Sequence, residues 1–184
     1  DLVRSRGLGD VYKRQFFVSL TAVFFSSLFS LPLSLLLALK KFPGSRFIVN
    51  TINSLMAVPA VAIGLVTYLL ISRRGPLGVL GLLYTPWAMI IAQAILATPI
   101  ITSLSLQTLK RVGSLVRETA VSLGASGWQM VLTMIKEAKS SLIVGFIVGF
   151  ARVIGETGMT MMVGGNIKGA TRVMTTAIAL ETMK

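Results

Sequence analysis

The sequence predicts an all-α integral membrane protein, and three observations carry that expectation. Of the 184 residues, 54% are hydrophobic and only 13% charged, against about 25% charged in an ordinary soluble domain. Mean hydropathy is +0.81. Four stretches, 16–39, 47–71, 87–106 and 141–163, are each long and apolar enough to cross a bilayer, which takes about 20 residues at a rise of about 1.5 Å each.

The composition also excludes classes. With no Cys and no His, disulfides, thiolate chemistry, His-based metal sites and imidazole general bases are all absent. No G-x-x-x-x-G-K-[ST] occurs, so the chain is not expected to bind ATP through a P-loop, and it calls for no metal or cofactor. The net charge of +12 comes from Lys and Arg scattered between apolar runs, which fits loops flanking membrane spans better than a nucleic-acid surface.

The opening segment 1–15 is set aside. Ser5 to Gln15, SRGLGDVYKRQ, resembles the translation of a transposase-type sequencing adapter, and such scars are excluded from fold reasoning. From Phe16 the chain reads as a permanent span, too long for a signal-peptide core of about 7–15 residues. Pro32, Pro59 and Pro99 fall inside spans, where neighbours can satisfy the carbonyls that a proline frees. Val173–Leu180 is too short to cross.

Loop charge orients the spans. Lys40, Lys41, Arg46, Lys110, Arg111, Arg117, Lys136 and Lys139 lie in loops on one side; Arg73, Arg74, Lys168 and Arg172 lie on the other. Because Lys and Arg accumulate in cytoplasmic loops, the first side is expected inside, the 110–140 loop with it, and the N-terminal end outside.

That 110–140 loop is more than a connector. Glu118, Ala120 and Leu123 precede an interior Gly124, and Trp128, Val131, Leu132 and Ile135 recur at helical spacing after it, which predicts two short helices sharing one apolar face. Glu118 near a helix start would be favoured by the helix dipole. In the last span, Gly145, Gly149, Arg152 and Glu156 share one helical stripe. A charge there is costly in lipid, so the stripe is expected either to face a pathway or twin subunit, or to form a packing pair. Beyond it, Gly164, Gly165, Asn166, Thr171 and Arg172 make a Gly-rich turn with donors that could guide an oxyanion.

The run Glu118–Ser126, ETAVSLGAS, resembles the EAA motif on the coupling helices of ABC importer permeases, with Thr119 in place of the first Ala. Together with GPLGVLGLLYTP, GFARVIGETG and VGGNIKGATRVMTTAIALET, it looks like the tungstate-type ABC permease across nearly all of 16–184. That resemblance implies a type I ABC importer permease fold with four spans here and a final span missing, in a bacterial or archaeal inner membrane. It also implies a homodimer, a cytoplasmic ATPase docked on the 110–140 loop, an extracytoplasmic oxyanion-binding protein and alternating access. Molybdate permeases share the RxxGExG and Gly-Asn-Ile segments, so molybdate is the alternative cargo. An ion-coupled secondary transporter using Arg152 and Glu156 is the alternative of a different class.

Overall fold

The computed structural model describes residues 2–40 and 42–183, with the side chains of 2–8, Arg117 and Val121 left aside; Lys41, counted above among the loop charges, lies outside the described residues. Among the described residues every regular element is helical. They are α1 (Leu2–Leu39), α2 (Ser45–Met56), α3 (Ala60–Ile71), a 3₁₀ turn (Gly78–Leu80), α4 (Pro86–Ser122), α5 (Gly127–Ile154), α6 (Gly158–Gly164) and α7 (Met174–Thr182).

Two of the four expected spans are single long helices, and two are not. Gly9–Leu39 of α1 and Pro86–Ala120 of α4 are each long and apolar enough to cross a membrane; the other two crossings exist only if each bent helix pair, α2 with α3 and α5 with α6, counts as one broken span. The first break has a visible cause. Pro59 caps the start of α3, because a residue with no N–H and a fixed φ fits the first turn of a helix and not its interior. Pro32 and Pro99, by contrast, sit inside continuous helices.

α1 shows the inverted pattern that a lipid solvent selects. Ser19, Ser26, Ser30 and Ser34 are buried, while Phe17, Leu20, Phe24, Leu28 and Phe29 are exposed. Apolar side chains gain nothing by hiding from hydrocarbon, so close approach and hydroxyl bonds decide which face turns inward. Ser30 Oγ donates to the Thr98 carbonyl at 3.2 Å, and Ser26 shares a hydrogen bond with the Thr98 hydroxyl at 3.1 Å.

The chain forms two compact units. One gathers the residues up to Phe25, Val58–Ala97 and those from Phe150 onward; the other gathers Ser26–Ala57 and Thr98–Gly149. In the first, α3 packs on α6 through small residues. A Cβ on Gly64 would stand 3.0 Å from Met159 Cγ, and one on Gly158 3.2 Å from Val61 Cγ2.

In the second unit α4 and α5 form an antiparallel hairpin. Leu109, Met134, Ala138 and Leu142 are its buried core, with Val112, Val116 and Met130 packed against them. Gly113 faces this core, where a Cβ would lie 2.8 Å from the flexible end of Met134 at Cε. Gly145 and Gly149 continue the same seam: their Cβ positions face Leu104 and Ile101, the latter at 2.7 Å. The expected stripe is therefore divided. Its glycines lie against α4 of the same chain.

Candidate functional site

The 110–140 segment is not a loop holding two short helices. It is the last turns of α4 and the first turns of α5, joined by 123–126. The joint is sealed on both sides. Gly124 takes φ +69, and the Ala125 N–H donates to the Ala120 carbonyl at 2.9 Å, the long return bond of a Schellman stop. Two residues on, the Ser126 N–H donates to Gln129 Oε1 at 2.8 Å, and the Gln129 N–H donates to Ser126 Oγ at 3.3 Å. That reciprocal pair is a capping box that starts α5.

The surface of this joint is uncovered. Leu123 is 79% exposed and Trp128 69%, although burying either would gain about 2 kcal/mol. Leu132 and Ile135, on the expected apolar face after Gly124, are also exposed, because the buried seam of α5 runs instead through Met130, Met134 and Ala138. Ala120 is half-buried.

Glu118 corrects an expectation. It lies near the end of α4, not near a helix start, and a carboxylate there meets the negative pole of the dipole. Its side chain is exposed and has no ion pair or hydrogen bond among the described residues. Glu118, Leu123 and Trp128 are thus all exposed along this stretch of the chain.

The second candidate set lies entirely in the first unit. Arg152 occupies the last turn of α5 rather than mid-span, where a cation is favoured by the helix C-terminus. α5 ends at Ile154, so Glu156 is not on the helix, yet the Arg152 guanidinium still donates to the Glu156 carboxylate. Side chains absorb the carbonyls freed at the break. Gln15 Nε2 donates to the Ile154 carbonyl at 3.1 Å, and the Thr160 and Thr175 hydroxyls donate to the Glu156 carbonyl at 2.7 and 3.5 Å. Internal satisfaction of this kind is what lets broken helices sit at membrane depth.

The Gly-rich turn spends its donors on itself. The buried Thr171 hydroxyl donates to the Gly164 carbonyl and accepts from the Ile167 N–H at 2.9 Å. Arg172 donates to the Asn166 side-chain oxygen at 3.1 Å and to its carbonyl at 3.3 Å. Arg14 adds bonds to the carbonyls of Arg172 and Gly169 at 2.9 and 2.8 Å. Gly165, at φ +71, lies against the Tyr84 ring, and the Tyr84 N–H donates to the Val163 carbonyl at 3.0 Å. A hydrogen bond to Tyr68 pushes the Tyr84 phenol above its ordinary pKa.

Sequence reasoning passed over the Ser126–Gln129 box, which the S-x-x-Q spacing carries. It also passed over Tyr84, whose positive φ has no signal in its residue type.

The described residues thus form a helical membrane protein of long and broken helices, with exposed Leu123 and Trp128 at the α4–α5 joint. The chain belongs to the family of binding-protein-dependent transport system inner membrane components, which it matches over residues 30–182. It is 44% identical over 164 residues to a tungstate uptake system permease protein of Peptoclostridium acidaminophilum, covering 89% of this chain and 72% of that one. A Campylobacter jejuni protein of the same description is 42% identical over 78% of this chain and 60% of its own. A molybdenum transport system permease protein of Haemophilus influenzae is 30% identical over 88% of this chain and 76% of its own.

Proposed function

We propose that this chain is the membrane-spanning subunit of an ATP-driven importer for an oxyanion, and that the oxyanion is tungstate. The uncovered α4–α5 joint is the observation that carries the ATP-driven reading. Exposed Leu123, Trp128 and Glu118 flank a turn fixed by Gly124 and Ser126, and Ala120 supplies the carbonyl that closes it. On this reading the joint docks a separate cytoplasmic ATPase, which hydrolyses ATP; the chain itself is a transport subunit and not an enzyme. The two relatives described as tungstate permeases, at 44% and 42% identity, support that cargo over molybdate, whose relative is at 30%.

The remaining partners follow from the same reading: an extracytoplasmic binding protein that delivers the oxyanion, and a second copy of the chain across the pathway. The N-terminal end lies outside and the joint inside, in keeping with the loop charges. Within the pathway set, Arg152 and Glu156 form a partly exposed ion pair, 37% and 16% exposed; Gly164 ends α6, and Gly165, Asn166, Thr171 and Arg172 belong to the turn that follows it.

The test is uptake into proteoliposomes holding the full-length protein, its ATPase and the binding protein. Uptake that needs ATP and follows the order tungstate, molybdate, sulfate is the expected result. Transport down an ion gradient without the ATPase would replace the importer with a secondary transporter. At matched membrane levels, Arg152→Ala is expected to slow uptake, because it leaves the Glu156 carboxylate without its cation; unchanged uptake would take Arg152 out of the pathway.

A further inference from the structure

Outside the two candidate sets, three cations line one cleft with no acidic residue among its described lining residues. A cleft of about 700 Å³ opens where α1 ends, α2 begins and α4 passes, and Lys40, Arg46 and Lys110 line it together with Leu37 and Phe42. The three come from separate stretches of the chain within one compact unit. No side chain of the three has a hydrogen bond or ion pair among the described residues, and none of the cleft's lining residues is acidic. Water screens the repulsion among exposed cations, and an anion seated among them would be attracted by all three.

The chain neighbours of the lining residues say what kind of anion fits. Phe47, next to Arg46, is 76% exposed, and Leu36, one turn before Lys40, is 43% exposed. In a helical membrane protein these large apolar groups face hydrocarbon, while the cations beside them mark the boundary with water. A ligand with a phosphate head and an acyl tail satisfies both, whereas a free oxyanion satisfies only the first. Basic pockets at the ends of membrane helices are suited to this role.

We propose that the Lys40–Arg46–Lys110 cleft binds the phosphate of an anionic phospholipid headgroup, with the acyl chains lying over Leu36 and Phe47. A free phosphate-like anion shares the head chemistry, and the test separates the two.

Full-length protein in detergent is titrated with dioctanoyl phosphatidylglycerol, dioctanoyl phosphatidylcholine or inorganic phosphate, and retained ligand is read by native mass spectrometry. Phosphatidylglycerol is expected to bind at least about tenfold tighter than phosphatidylcholine, and the triple variant Lys40→Gln, Arg46→Gln, Lys110→Gln to lose that preference. All three positions are exposed and unpartnered, so folding should survive. If the triple variant still fails to insert, each single variant should weaken phosphatidylglycerol about fivefold. The double variant Arg73→Gln, Arg74→Gln, at a basic pair in another loop, should bind like the parent. Equal affinity for the two lipids, or a preference that survives in the triple variant, overturns the proposal. Inorganic phosphate displacing the lipid at equal concentration also overturns it, in favour of a free-anion site. So does a triple variant that keeps its lipid but no longer binds the ATPase, which would make the cleft a protein contact.

Discussion

The α4–α5 joint and the Gly-rich turn at 164–172 are both short, both hinge on a glycine with positive φ, and both were expected to meet a ligand. They use their side chains in opposite ways. The joint closes with backbone bonds and one capping pair, which leaves Glu118, Leu123 and Trp128 unspent on its surface. The turn closes with the polar side chains that could have served a ligand, Thr171, Arg172 and Asn166. A segment whose backbone stabilises itself keeps its side chains free for a partner; a segment held by its side chains has mainly a shape to offer.

The sharpest way to break that contrast is at Gly124. Its φ of +69 costs any L-residue about 1–2 kcal/mol, and a Trp would also stand on the proposed docking surface. Gly124→Trp should insert normally yet abolish uptake while ATP hydrolysis by the partner continues. Normal coupling in proteoliposomes would remove the joint from the mechanism. A smaller effect is expected from Trp128→Ala, which should weaken ATPase binding by about 2 kcal/mol with no change in helicity or thermal stability, since the side chain touches little of its own chain. A loss of stability instead would mean that Trp128 serves the fold.

Thr171→Val reverses the signature with the mildest change. It removes one donor and one acceptor from buried partners, for about 1–3 kcal/mol of stability, and should lower the unfolding temperature while affinity for the ATPase stays at the parent value. Should stability hold and uptake fall, Thr171 would be a ligand contact and the contrast would fail.

Much of this was legible from residue types alone. The membrane class, α1 and α4 follow from long apolar runs, whereas the spacing around Gly124 suggested two short helices where the structure has the ends of two long ones. The breaks were harder. Hydropathy averages across Ala57–Pro59 and Gly155–Thr157, so a bent pair and a straight span give the same window, and only Pro59 gives a local clue. Glu118 was placed at the wrong end of its helix because the apolar run stops at Leu106, whereas the helix continues to Ser122 with nothing to end it before Gly124. The closure of the Gly-rich turn depends on Arg14, 155 and 158 residues away from its acceptors, and no local pattern reports a bond of that span. Arg14 and Gln15 also belong to the adapter-like segment, yet α1 runs through them without interruption and Gln15 is fully buried.

The four-residue connection between α4 and α5 has a mechanical consequence. With its stop and start both hydrogen-bonded, it has no slack to take up, so a small displacement of Leu123 must be shared at once by the two helices that meet there. If the proposed ATPase presses there, little of each stroke would be lost to bending the handle.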